Sequence, residues 1–206
     1  ADCVTATDWM EDRTGRATLL NRLQHALTTA GWTWSDVELF AIGRGPGNYA
    51  GLRTSLTISS MLSLPGDARV YPVNSGVPIA MACFNEMETD RVAVIGDARR
   101  DQYWMGVFRR APVPDMAGEW RMGTAEQLVQ ALDVEIPLAS ADRTGLLASQ
   151  SADIFKTRRW MERDVAPSAT LLGRTAFWLA RHGLPPEDFS PIYLHPAVAI
   201  KKSAEL

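Results

Sequence analysis

The sequence has few cysteines and no long apolar segment. Its two cysteines, Cys3 and Cys83, fit no metal-binding or redox spacing and are too few for a disulfide framework. No apolar run approaches the ~20 residues that a membrane-spanning helix needs, and no signal peptide is visible. These absences favour the reducing cytoplasm and predict no contact with a membrane.

Familiar catalytic motifs are absent as well. The three histidines, His25, His182 and His195, are scattered along the chain and form no His-Glu-x-x-His pattern. The sequence has no Walker-type loop for a nucleotide, and no serine lies in a nucleophile-elbow setting. The formal net charge of −3 argues against nonspecific nucleic-acid binding through bulk charge but leaves room for a local basic patch. We therefore expect no cofactor and no metal on this chain.

What the sequence does contain is a mixture of strand and helix patterns over 206 residues. Strands are predicted at residues 4–10, 37–42, 69–73, 92–95, 103–108, 120–122, 138–140 and 192–194. Helices are predicted at residues 19–30, 52–64, 75–87, 124–132 and 168–182, whereas 142–164 shows no clear pattern. Ser75 and Ser168 are the predicted N-caps of two of these helices. This mixture indicates an α/β protein with two comparable halves, residues 1–96 and 97–206.

The most distinctive stretch is a glycine-rich turn at residues 43–53, which lies between a predicted strand and a predicted helix. Glycine and proline suit a tight turn, and Asn48 is expected to cap the helix. Such a turn can hold an anion at the helix N-terminus, or it can be a turn with no ligand. The residues of this motif are Gly45, Pro46, Gly47, Asn48, Tyr49, Gly51 and Arg53.

The helix that follows the turn has no charged residue from 54 to 63. Gly51, Ser55 and Ser59 form a stripe of small residues on it. A helix without a charged face is usually covered on more than one side, either within its own domain or by another protein. Arg53, predicted in the first helical turn, needs an anionic partner on its own chain or on another one.

Three segments closely resemble motifs of the TsaB (YeaZ) family, the bacterial partner protein in tRNA threonylcarbamoyladenosine synthesis. The glycine-rich turn is similar to the Gly-Pro-Gly-Ser-Phe/Tyr-Thr-Gly-Leu-Arg signature of that family. Residues 96–104 resemble its Asp-Ala-Arg hairpin, although Asp97 and Arg99 also suit a surface ion pair or a turn. Residues 191–202 resemble its Pro-x-Tyr-Leu-Arg-x-x-Val-Ala tail. The chain is identified as a member on these segments, which lie in family order.

The resemblance implies a two-lobed actin-like (ASKHA, ribonuclease-H-like) fold whose N-terminal strands lack a counterpart in this sequence. It implies a non-catalytic partner subunit that dimerises with the catalytic TsaD paralogue and works with the ATPase TsaE. ATP and metal would belong to those partners, and tRNA would be reached only through the complex. Without the paralogue, the same surface could form a homodimer. The partner-interface residues expected from this are Leu20, Leu23, Leu27, Ser55, Ser59 and Leu62.

The sequence also departs from the family pattern. Asn48 and Ala50 replace the usual Ser and Thr, and His195 follows Leu194 where Arg is frequent. A stand-alone enzyme of the same fold, a glycoprotease-like peptidase or a phosphotransferase, is the alternative function. Metal content and ATP hydrolysis by the isolated protein would distinguish the two.

Overall fold

Helices and strands alternate along the chain in a computed structural model that describes residues 6–7 and 18–194. The helices are α1 (Thr18–Ala30), α2 (Tyr49–Ser63), α3 (Gly76–Glu86), α4 (Ala125–Gln130), α5 (Arg143–Ala148) and α6 (Ala169–Arg181). The strands are β1 (Leu39–Gly43), β2 (Arg69–Val73), β3 (Arg91–Arg99), β4 (Gln102–Arg109), β5 (Asp115–Met116), β6 (Arg121–Gly123) and β7 (Leu138–Ala139). Short 3-10 helices cover Trp34–Asp36, Leu64–Gly66 and Gln150–Thr157.

The strands of the described residues form two sheets. In the first, β1 pairs in parallel with β2, and α2 makes the crossover between them. In the second, the strands follow the order β5-β4-β3-β7, and β6 also pairs with β4. The β3–β4 pair is the predicted hairpin, and its two strands are antiparallel. The mixed α/β class predicted from the sequence is therefore confirmed.

Strand β3 lies between two apolar clusters because its residues are covered on both faces. Val92 and Val94 pack in a cluster with β2, α3 and α6, whereas Ala93 and Ile95 pack in a cluster with α4 and α5. The first cluster joins the two sheets. The expected boundary at residue 96 falls inside β3, and the division into two lobes stays a prediction.

Several predicted elements are placed as expected, and others are corrected. Strand 69–73 is confirmed, and α1 ends as predicted with Gly31 in the left-handed region at φ +72°. Helix α2 begins at Tyr49, three residues before the prediction. The hairpin turn is shorter than residues 96–102, because β3 continues to Arg99 and β4 starts at Gln102.

The predicted strand at residues 192–194 is wrong. These residues form no strand, although the Ile192 N–H donates one hydrogen bond to the Arg44 carbonyl at 2.8 Å. Of the strand expected at 4–10, the structure describes only residues 6–7, which are in no strand. The other residues of that strand, together with Cys3, His195 and the tail beyond Leu194, lie outside the described residues.

Candidate functional site

The glycine-rich turn connects β1 to α2 and is shaped by its own residues. The Asn48 side chain accepts a hydrogen bond from the Gly51 N–H at 3.1 Å, so the predicted N-cap is confirmed. Gly45 has φ +102°, a conformation that disfavours any side chain. A Cβ at Gly45 would also lie 2.8 Å from the Leu52 side chain and 3.3 Å from the Ile192 carbonyl. Gly45 is therefore required by its backbone conformation and by its neighbours.

The turn is held against the segment that links β2 to α3. The Gly45 N–H donates to the Ser75 hydroxyl at 3.0 Å, and the Ser75 N–H donates to the Gly45 carbonyl at 2.9 Å. Ser75 occupies the N-cap position of α3 as predicted, but its side chain makes no capping hydrogen bond. The Asn74 carboxamide oxygen accepts from the Gly76 N–H instead, at 2.9 Å. The hydroxyl that the sequence assigned to capping thus fixes the glycine-rich turn.

The segment of residues 187–194, here called the C-terminal segment, packs against the same turn. Arg44 donates to the Glu187 carboxylate at 3.0 Å and to the Ser190 carbonyl at 2.9 Å. The other Glu187 oxygen accepts from the Asn74 N–H at 2.9 Å. The Arg44 side chain is only 15% exposed, so this ion pair is partly shielded from solvent. Because the Ile192 N–H also donates to the Arg44 carbonyl, two of the three segments that carry the family resemblance meet in space.

Arg53 belongs to a cluster with two tyrosines at the start of α2. Its guanidinium donates to the Tyr49 hydroxyl at 2.5 Å and lies 5.4 Å from the centre of that ring. The Tyr193 ring packs on the Tyr49 ring with centroids 4.9 Å apart. The hydrogen bond to Tyr49 raises the pKa of Arg53. Tyr49, Arg53 and Tyr193 are called the tyrosine–arginine cluster below.

The environment of Arg53 differs from the predicted one. Because α2 begins at Tyr49, Arg53 is the fifth helical residue and lies beyond the first turn, where the helix dipole acts most strongly. Arg53 forms no ion pair with any residue that the structure describes. Whether an acidic partner on another chain pairs with it stays open as a prediction.

Helix α2 has one face on its own sheet and one face in solvent. Leu56 and Ser59 are buried against β1 and β2, and Ser59 is only 6% exposed. Ser55 and Leu62 are half-buried. The exposed stripe of α2 is formed by residues at helical spacing, namely Tyr49, Arg53, Thr57, Ser60, Met61 and Leu64 just after the helix. This stripe has a single charge, while Met61 is 64% and Leu64 77% exposed.

Helix α1 is amphipathic as predicted but is covered only in part. Leu20 is 48% exposed, whereas Leu23 and Leu27 are half-buried. No residue from 19 to 30 is fully buried in the described part of the chain. The six residues predicted for a partner interface are therefore split, since Ser59 lies inside and Leu20 outside, and their role stays a prediction.

The third resembling segment forms the β3–β4 hairpin. The Asp97 carboxylate accepts from the Arg99 N–H at 2.7 Å and lies 3.6 Å from its guanidinium. Both alternatives from the sequence, a turn former and an exposed ion pair, describe this contact. A polar cavity of about 330 Å³ next to the hairpin is lined by these two residues, by Arg100, Asp101 and Tyr103, and by residues between 142 and 151.

The remaining chemistry-bearing residues have structural surroundings. His25 is exposed on α1, and the His182 ring stacks on Trp178 at the C-terminal end of α6. Within residues 6–7 and 18–194, no three His, Cys, Asp or Glu side chains are grouped so as to hold a metal ion. In the same residues, no helix combines the length and the apolar character needed to cross a membrane. The expectation of no metal and no nucleotide stays a prediction.

Sequence reasoning missed the contribution of the C-terminal segment. Arg44 lies in the glycine-rich turn and Tyr193 in residues 191–202, yet nothing in the sequence assigns Glu187 or Ser190 to them. The exposed stripe of α2 could have been found, because Tyr49, Arg53, Thr57, Met61 and Leu64 recur at spacings of three or four. The stripe of small residues, Gly51, Ser55 and Ser59, lies on the opposite face of α2.

Comparisons with known proteins agree on one family. The family model described as TsaD, tRNA N6-adenosine threonylcarbamoyltransferase, matches residues 12–156. The tRNA threonylcarbamoyladenosine biosynthesis protein TsaB of Haemophilus influenzae is 27% identical over 202 residues, which cover 94% of this chain and 85% of that protein. The TsaB protein of Escherichia coli K12 is 27% identical over 112 residues, 54% of this chain and 47% of its own length.

Solved structures show the same fold. YeaZ from Pseudomonas aeruginosa superposes with a TM-score of 0.70 at 22% identity and covers 89% of this chain and 87% of its own. A Pseudomonas aeruginosa protein described as similar to peptidase YEAZ has a TM-score of 0.71 at 23% identity, with coverage of 89% and 85%. These relatives confirm the resemblance to TsaB and YeaZ, and the fold is consistent with the actin-like class.

Proposed function

The chain belongs to the family described as TsaD, tRNA N6-adenosine threonylcarbamoyltransferase, whose relatives named TsaB act in tRNA threonylcarbamoyladenosine biosynthesis, and we propose that it is an accessory subunit of that pathway. In this proposal it dimerises with the catalytic TsaD protein and works with the ATPase TsaE. Those partners contribute ATP, metal and the transfer chemistry, and tRNA is bound through the complex. The site of action is the cytoplasm.

The observation that carries the proposal is the exposed stripe of α2. A contiguous helix face with Met61, Leu64 and Tyr49 in solvent and one charge is unusual for a surface without a partner. Interfaces are enriched in Tyr, Met and Arg and depleted in other charged residues, which is the composition of this stripe. In this proposal the half-covered apolar side of α1 supplies a second helix to the interface. Alone, two copies of the chain would pair through this face with twofold symmetry.

The first test compares the isolated protein with a mixture containing TsaD from the same organism. Size-exclusion chromatography with light scattering should show a one-to-one complex, and the complex should transfer the threonylcarbamoyl group to tRNA. Absence of a complex, together with ATP hydrolysis or stoichiometric metal in the isolated protein, would contradict the proposal. That result would support the stand-alone enzyme instead.

A matched pair of variants tests whether TsaD binds the exposed stripe or another part of the surface. Met61→Asp puts a charge into the stripe, and Val134→Asp puts one at an equally exposed position in the second half, 68% exposed against 64% for Met61. Both chains should fold. Only Met61→Asp should lose the complex, because an unpaired charge would be desolvated there. Equal binding by the two variants would remove the stripe from the interface.

A further inference from the structure

The C-terminal segment lies next to the exposed stripe of α2 and extends it. Tyr193 is 46% exposed, and its ring packs on Tyr49, the first residue of the stripe. Tyr49 in turn holds the Arg53 guanidinium through a hydrogen bond and a cation–π contact. The surface therefore continues from Tyr49 on the helix to Tyr193, which lies 144 positions later in the sequence.

The position of Tyr193 depends on contacts made by its neighbours. Glu187 is bonded through both carboxylate oxygens, one to Arg44 and one to the Asn74 N–H. Arg44 also binds the Ser190 carbonyl, and its own carbonyl accepts from the Ile192 N–H. These hydrogen bonds hold the backbone of the C-terminal segment on both sides of residue 191. They leave the Tyr193 ring against Tyr49, and no described residue forms a hydrogen bond with the Tyr193 hydroxyl.

The tyrosine–arginine cluster has unused capacity for an anionic group. A guanidinium has five N–H donors, and the described residues accept from one nitrogen of Arg53 only. The Tyr49 ring lies beside this cation, which stays exposed to an approaching ligand. Arg53 is the only cation on the stripe, whereas binding to a nucleic-acid backbone uses several cations. The apolar Met61 and Leu64 farther along favour a protein surface over a polynucleotide.

We propose that the tyrosine–arginine cluster receives an acidic side chain of a partner protein, and that the Arg44–Glu187 pair is a positioning pair that holds Tyr193 in this docking surface. The inference rests on the proposed function, since the partner is the TsaD protein named there. It adds the C-terminal segment to an interface otherwise formed by helices. It also assigns the chemistry of the partner group, a carboxylate facing Arg53.

The closing experiment measures the dissociation constant for TsaD by titration calorimetry. Tyr193→Ala should weaken binding by roughly tenfold, because tyrosine is among the residue types that contribute most to interface affinity, and Tyr193→Phe should bind nearly as the wild type. Glu187→Gln should weaken binding several-fold, and Glu135→Gln, which neutralises an exposed carboxylate outside the C-terminal segment, should have no effect. The double variant Glu187→Gln/Tyr193→Ala should bind no more weakly than Tyr193→Ala alone, because Glu187 acts through Tyr193.

The charge of the partner group is tested by salt. Raising NaCl from about 50 mM to about 300 mM should weaken the wild-type complex and leave the Arg53→Gln complex much less changed. Binding of isolated tRNA that is lost in Arg53→Gln would instead identify a phosphate as the anion and overturn the carboxylate assignment.

The outcomes separate this inference from the function it rests on. No complex with the wild-type chain overturns the proposed function and the inference together. A wild-type complex that Tyr193→Ala and Glu187→Gln leave unchanged overturns the inference alone. Fully additive effects in the double variant would show that Glu187 does not position Tyr193. Thermal melting of each variant shows whether a loss of binding is a loss of folding.

Discussion

Single residues in the glycine-rich turn have separate roles that the structure distinguishes. Asn48 caps α2, Gly45 adopts a backbone conformation that disfavours side chains, and the Ser75 hydroxyl accepts from the Gly45 N–H. Asn48 and Gly45 could be assigned from the sequence, since capping and turn conformation depend on adjacent residues. The role of Ser75 could not, because its partner is 30 positions away.

The cap at Asn48 is expected to contribute measurably to stability. Asn48→Ala should lower the free energy of unfolding by about 1 kcal/mol, because the Gly51 N–H loses its acceptor. Asn48→Ser keeps an acceptor at the same position, so its free energy of unfolding should differ from the wild-type value by only about a few tenths of a kcal/mol. Denaturant unfolding of the three chains measures the difference. A wild-type value for Asn48→Ala would show that the capping bond adds nothing.

Cys83 is expected to be unreactive in the folded chain. Burial raises the pKa of its thiol from 9.0 to about 12, and the nearby Glu86 charge adds to this rise. In a Cys3→Ser background, iodoacetamide at about pH 8 should label Cys83 only after urea is added, because the thiolate is the reactive form. Mass spectrometry measures the labelling.

The same shift predicts a dependence of stability on alkaline pH. The folded state holds the Cys83 proton more tightly than the unfolded state. Its contribution is complete below the unfolded pKa of 9.0 and is lost as the pH rises toward about 12. Rapid labelling of the native protein at about pH 8 would contradict the raised pKa of Cys83, on which both predictions depend.

Helix α2 shows what periodicity can establish at the scale of one element. The absence of charge from 54 to 63 left two alternatives, a helix inside its own domain or one completed by another protein. The structure shows that one face is internal and the other exposed. The sequence did not reveal which face is which, because small and apolar residues occur on both.

Adjacent serines on α2 provide a matched test of this orientation. Ser59→Asp should destabilise the chain by about 3 kcal/mol, since Ser59 is buried and its hydroxyl donates to the Leu56 carbonyl. Ser60→Asp should change stability by less than about 0.5 kcal/mol, because Ser60 is exposed. Ser60→Asp should still weaken binding to TsaD, because it places a charge in the exposed stripe. Equal stability of both variants would show that the helix is rotated from its described position.

At the scale of the whole molecule, the two sheets share one apolar cluster. Tyr71 and Val73 of the first sheet pack in the same cluster as Val92, Val94 and Phe108 of the second. Helix α3 makes the junction, and its first residue, Gly76, lies directly against Phe108 and Trp120. A shared cluster of this kind predicts one cooperative unfolding transition for both halves.

A methyl group at Gly76 is expected to disturb that junction. Its Cβ would lie 2.5 Å from the Phe108 ring and 3.0 Å from the Trp120 ring, so Gly76→Ala should cost about 1–3 kcal/mol. Gly173→Ala in α6 is the matched control, because no atom of the described residues lies within 4 Å of its Cβ position. It should stabilise the chain by about 0.5–1 kcal/mol. Calorimetry measures the unfolding of both variants. We expect a single transition in each. Two separate transitions would contradict the shared cluster.

The local features of this chain could be predicted from its residues, and the assembly of its site could not. The cap at Asn48, the end of α1 at Gly31 and the strand at Arg69–Val73 depend on residues within a few positions of each other. The pairing of Arg44 with Glu187 joins residues 143 positions apart, and nothing in their local sequence specifies this contact. Packing of the chain as a whole decides which distant segments become neighbours, and here it places Tyr193 beside Tyr49.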